Sequence, residues 1–176
     1  MRLFRSKKLH ACFVCLMLVF IVGAANLCAQ EATKISGKMT ATYTKMDSTV
    51  VGDVPGHTMI LGTSEGTNTN TGENAFMDGA QITNLSFSDL VQGNGTNQGY
   101  VIFTKDGDVT YAKWQGKVTT TKTDEGEPDT SLEGTFDYTK GTGQFENIKG
   151  KGSYTGKFTS KTEYTVEWQG SYSIGK

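Results

Sequence analysis

Five stretches of the chain repeat one pattern, an apolar residue, a spacer, a glycine, a spacer and a second apolar residue. They are Ile35/Gly37/Met39, Trp114/Gly116/Val118, Leu132/Gly134/Phe136, Tyr154/Gly156/Phe158 and Trp168/Gly170/Tyr172. Residues two apart share a side only when the backbone is extended, so each glycine falls mid-strand on the face its apolar neighbours bury. Glycine weakens a strand, through backbone entropy and through the packing it forgoes, so five at matched depth need a structural reason. Two are open. Neighbouring aromatics fold over the glycines and fill the interior, as alternating small and large residues do in small barrels, or the glycines leave a hollow at the waist of a coiled sheet. The hollow would be lined by Tyr43, Trp114, Phe136, Tyr138, Phe158 and Trp168 and would suit a flat or greasy small molecule.

The rest of the chain agrees with strands. Beyond the N-terminal segment it is rich in Thr, Gly, Tyr and Phe, contains only Pro55 and Pro128 as prolines, and shows no amphipathic helix. Tyr164, Val166, Trp168 and Tyr172 alternate with Glu163, Thr165, Glu167 and Gln169, the period of a half-buried strand. Alternation read against turn signals predicts eight strands, near 34–46, 56–64, 80–88, 99–105, 109–123, 131–140, 148–160 and 163–174. Lys105-Asp106-Gly107-Asp108 reads as a tight hairpin and Thr123 to Asp129 as a longer one. Eight meandering strands with no helix to cover an edge favour closure, so the predicted fold is all-β: a single eight-stranded antiparallel up-and-down barrel, calycin-like in outline.

The first 29 residues read as an export signal. Arg2, Arg5, Lys7 and Lys8 precede an uncharged apolar run from Ala11 through Ala25, too short for a typical span and followed by no stop-transfer cluster, with cleavage expected after Ala29. Residues 30–176 then form one domain that is secreted or periplasmic and has no membrane span. Cys12, Cys15 and Cys28 would leave with the signal, so neither a disulfide framework nor a cysteine metal site is expected. Leu27 before Cys28 is not the small residue a lipid anchor prefers. Losing four basic side chains shifts the formal charge from −1 to about −5, which argues against nucleic acid as a partner.

In such a barrel alternate loops share an end, so Asp47–Gly56, Asp89–Gln98 and Thr123–Asp129 should gather at one mouth with Asp53, His57, Asn94, Asn97, Glu125, Glu127 and Asp129. A polar Ser64–Asp78 loop and the Gly141-Thr142-Gly143 turn would lie at the other. His57 is the only histidine after cleavage and joins the pocket candidates. No Ser-His-Asp set assembles, no histidine pair exists to hold zinc, and the acidic Asp124–Asp129 turn lacks the spacing of a calcium loop. No catalytic residue, metal or cofactor is assigned. Asn84-Leu85-Ser86 and Asn94-Gly95-Thr96 fit the glycosylation triplet, which matters only in a eukaryotic secretory pathway.

The segment Lys140-Gly141-Thr142-Gly143-Gln144-Phe145-Glu146-Asn147-Ile148-Lys149-Gly150-Lys151-Gly152 resembles the late signature of dirigent proteins and allene oxide cyclases. Gly52-Asp53-Val54-Pro55 and Asp106-Gly107-Asp108 before Gln115-Gly116 follow the family's order. The resemblance implies an eight-stranded barrel with a hydrophobic cavity, commonly a trimer, in a superfamily of cyclases and of proteins that steer coupling of bound radicals. Ile35 to Met46 carries no glutamate where the cyclases are expected to hold their catalytic one, so cyclase activity is not carried over. The leading expectation is an exported barrel that binds a small hydrophobic or aromatic ligand. An isomerase or cyclase of this superfamily, and a filled barrel acting through its surface, are the alternatives.

Overall fold

A computed structural model describes residues 31–176 of the 176-residue chain. The export signal, its cleavage after Ala29 and the three cysteines lie outside the described residues. Eight strands follow in order: β1 (Thr33–Val50), β2 (His57–Asn70), β3 (Gln81–Val91), β4 (Asn94–Lys105), β5 (Asp108–Lys122), β6 (Pro128–Gly141), β7 (Ile148–Phe158) and β8 (Glu163–Ile174). Each pairs antiparallel with the next, and β8 returns to β1 from Thr33 opposite Tyr172 to Thr42 opposite Glu163. The sheet is therefore a closed up-and-down barrel with no free edge.

Turn chemistry sets the tight ends. Gln92-Gly93 and Asp106-Gly107 both have positive φ at their two central residues, the left-handed pair that matches strand twist in a two-residue hairpin. The β3–β4 turn is thus Gln92-Gly93 rather than a loop across Asp89–Gln98. Asn94 opens β4, where its Oδ1 accepts from the Thr120 amide at 2.9 Å, and Asn97 lies within the strand.

Ser64–Asp78 is not one long loop. β2 continues to Asn70, and the real connection is Thr71–Ala80. The inward residues of that half of β2 are Ser64, Gly66 and Asn68, so hydrophobic periodicity had nothing to register. Ser64 and Asn68 are almost fully buried. They are tolerated there because each meets an aromatic polar group, Ser64 Oγ the Tyr164 hydroxyl at 2.6 Å and Asn68 Oδ1 the Trp168 indole N–H at 3.0 Å.

The barrel has one closed end. Phe76, from the β2–β3 connection, packs edge-on against Phe145 at 5.1 Å and Trp168 at 6.0 Å between ring centroids, and tilts against Tyr172 and Tyr138. Met77 is buried beside it, and Asn68 Nδ2 holds the connection by donating to the Met77 carbonyl at 2.9 Å. Phe145 arrives from the Gly143–Phe145 turn of the late glycine-rich segment. That segment is a structural turn: Asp108 receives hydrogen bonds from the Gln144 amide and side chain. A second cluster, with Ala41, Val118, Leu132, Tyr164 and Val166, occupies the upper half.

Candidate functional site

The glycine belt faces inward, and both explanations for it contribute. A Cβ on Gly37 would enter the Trp168 indole, one on Gly99 would lie 2.7 Å from the Trp114 ring, and one on Gly134 would lie 2.7 Å from the Tyr154 ring. The aromatics therefore do fold across the glycines. At Gly116 and Gly134 a Cβ would also strike a neighbouring strand's carbonyl oxygen, so the close backbone approach of a coiled sheet independently demands glycine.

Filling is nonetheless incomplete. A cavity of about 290 Å³ runs from the aromatic layer toward the end that carries the β1–β2, β3–β4, β5–β6 and β7–β8 connections. Trp114, Trp168, Phe136, Tyr138 and Phe103 form its floor, and Met46, Ile60, Leu90, Thr120 and Lys161 lie toward its mouth. A bulge in β1 between Tyr43 and Lys45 shifts the alternation by one residue, which turns Met46 to the inside opposite Gly62. Lys161 is the only charged residue lining the cavity among the described residues.

Of the residues singled out from sequence, Tyr43, Trp114, Phe136, Tyr138, Phe158 and Trp168 all line this cavity. Tyr43 and Phe158 stack at 6.3 Å, and both tilt against Tyr164 at 5.6 Å. His57 does not line it. It sits on the outward parity of β2 and is bound on both sides: Nδ1 donates to Asp53 Oδ1 at 2.5 Å and Nε2 to Asp89 Oδ1 at 2.6 Å. The trio fastens the β1–β2 connection to β3 on the outer rim.

Sequence reasoning missed the polar strip inside the barrel. Asn84 Nδ2 donates to the Tyr164 hydroxyl at 2.9 Å, while Asn84 Oδ1 accepts the Trp114 indole N–H at 2.8 Å. Both indoles are thereby oriented by a buried asparagine, Asn84 for Trp114 and Asn68 for Trp168. Burial also removes Asn84 from use as a glycan acceptor, because its side chain points into the barrel. The alternation Ile82/Asn84/Ser86/Ser88 was the available signal, but period two with polar residues reads as a solvent face until a partner strand is known.

The interior disfavours charge. Burial raises the Tyr43 phenol, raises Tyr138 and Tyr154 well above their usual range, and pushes Tyr164 up to about 12 against the opposing hydrogen bonds from Ser64 and Asn84. At any physiological pH these groups are neutral donors or acceptors rather than bases. The rim behaves oppositely. Hydrogen bonds donated to Asp89 first and to Asp53 second raise His57, and the hydrogen bond that Asp53 accepts from His57 lowers Asp53.

The signs define a pH window for the rim contact. Its His57 share is fully present below the unfolded value of about 6.5 and is lost as pH rises through the elevated folded value. The Asp53 share is present above about 3.9 and is lost as pH falls through the depressed folded value. His57 ring resonances followed by NMR should titrate with a midpoint above 6.5, Asp89→Asn should lower that midpoint, and Val51–Gly56 amides should lose protection over the same rise. A midpoint at or below 6.5 in the unmodified protein would refute the doubly bonded arrangement.

No protein-family model matches the chain, and neither does any curated protein. Among solved structures, a pterocarpan synthase dirigent protein aligns with a TM-score of 0.43 at 15% identity, covering 83% of this chain and 87% of that one.

Proposed function

We propose that the protein binds a small, neutral, hydrophobic or aromatic molecule within the barrel and holds it without transforming it. The observation that carries this reading is the cavity itself: about 290 Å³, closed at one end by Phe76 and its neighbours and walled by aromatic side chains. The charge distribution adds to it. With Lys161 the lone charged lining residue among those described and the buried phenols held neutral, an ionised ligand would lose its hydration for little return. An isomerase reading has less support, because it needs an acid or base at the ligand, whereas His57 and Asp53 are engaged with each other on the outer rim.

Both tryptophans of the chain line the cavity, so intrinsic fluorescence reports on its occupancy. Titration with a mixed library of apolar and aromatic compounds should show saturable quenching by some members. Those members should also stabilise the fold, by about 2.7 kcal/mol at a hundredfold excess over Kd. A library in which no compound does either overturns the reading. The same titration addresses the filled-barrel alternative, in favour of which Leu61, Leu85 and Tyr100 leave an exposed apolar strip on the outer wall of β2–β4. A filled barrel gives no saturable quench at any ligand concentration.

A further inference from the structure

Two polar atoms on residues of the cavity wall find no partner among the described residues. They are Asn97 Oδ1, on a side chain more than nine-tenths buried, and the Tyr154 hydroxyl. Their placement is related. Tyr154 leans from β7 across Gly134 of β6 until its hydroxyl stands over Gly116 of β5, since a Cβ on either glycine would meet the phenol. Gly116 is the cross-strand partner of Asn97 on β4. The two missing side chains of the belt thus let a tyrosine from three strands away place its hydroxyl over the glycine paired with that asparagine, and both residues line the cavity.

Neighbouring polar groups contrast with this pair. Asn84, Ser64, Tyr164 and both indoles are satisfied inside the wall, and their hydrogen bonds serve the protein. Leaving a buried polar group unmatched costs about 1–3 kcal/mol, so two such atoms on residues that line one cavity call for an outside partner.

We propose that Asn97 and Tyr154 form the polar recognition point of the cavity, selecting ligands that carry a hydroxyl or equivalent donor–acceptor group on an otherwise apolar, uncharged body. Asn97 Oδ1 needs a donated hydrogen. The Tyr154 hydroxyl can give one in return, so a group that donates and accepts at one atom satisfies both. The ligand's apolar remainder lies on the Trp114 and Trp168 faces and toward Val118 and Leu132. This selection rests on the proposed binding function and adds to it the chemical class of the ligand.

The test compares matched probes, 2-naphthol with naphthalene and 1-decanol with decane, by tryptophan fluorescence on the unmodified protein and on the Tyr154→Phe and Asn97→Leu variants. The hydroxylated member of at least one pair is expected to bind about 5- to 10-fold more tightly, the worth of about one net hydrogen bond. Tyr154→Phe, which keeps the ring over both glycines, should reduce that preference to near unity. Asn97→Leu should do the same. Equal affinity for both members of each pair overturns the recognition point and leaves the binding function standing, whereas a preference that survives both variants shows that other residues supply it. Absence of binding by all four probes counts against the binding function and this inference together.

Discussion

Replacing Trp168 by alanine is expected to destabilise the protein by about 3–5 kcal/mol, the range for deleting a large buried aromatic from a packed core. The indole is 6% exposed, packs against Phe76, Phe103 and Phe136, and lies over Gly37. Its removal joins new space to the existing cavity and strips Asn68 Oδ1 of its donor. Asn68 also anchors the β2–β3 connection through the Met77 carbonyl, so loss reaches the plug at the closed end. Chemical denaturation of Trp168→Ala beside Trp168→Phe measures this. Phenylalanine retains most of the buried area and should lose only about 1–2 kcal/mol. An alanine variant within 1 kcal/mol of the unmodified protein would mean that the aromatic layer contributes little.

Placing valine at Gly134 is expected to cost about 3 kcal/mol or more, through overpacking rather than loss of contact. Its Cβ would overlap the Gln115 carbonyl oxygen of the paired strand and the Tyr154 ring, one of them rigid backbone and the other a ring with glycine on both sides of its path. The strands would have to part or the phenol swing into the cavity. Thermal unfolding should show a drop of several degrees, since 1 kcal/mol moves a domain of this size by about 2–4 °C. Tryptophan quenching by cavity probes should weaken at the same time. Valine at Thr135, one residue along on the outward face, should change stability by less than about 0.5 kcal/mol. Equal stability of the two variants would show that the glycine at 134 is merely permitted.

These two substitutions mark how much of the fold was legible. The glycine belt and the Tyr164–Tyr172 alternation identify strands because apolar burial on one face imposes period two. The hairpin at Asp106-Gly107 was legible because left-handed backbone selects a narrow set of residues. The lower half of β2 was not. Ser64 and Asn68 face inward against partners about a hundred residues away, Tyr164 and Trp168, and no local pattern announces such a pairing. Phe76 and Met77 were hidden inside the segment read as a polar loop, although they close the barrel. At the rim, His57 looked like a mouth residue from its place in the chain, but strand parity puts it outside.

Short-range periodicity and turn stereochemistry are enough to specify the all-β class, the eight-strand meander and the inward face with its six aromatic residues. Whether the belt is filled or hollow depends on packing across the closed barrel. Each glycine's space is claimed by a side chain or carbonyl from another strand, and a cavity remains where those claims do not meet. That packing also decides which polar groups are satisfied. Whether Asn84 or Asn97 has a partner depends on what the neighbouring strands bring across the barrel, and that register is set by closure of the whole sheet.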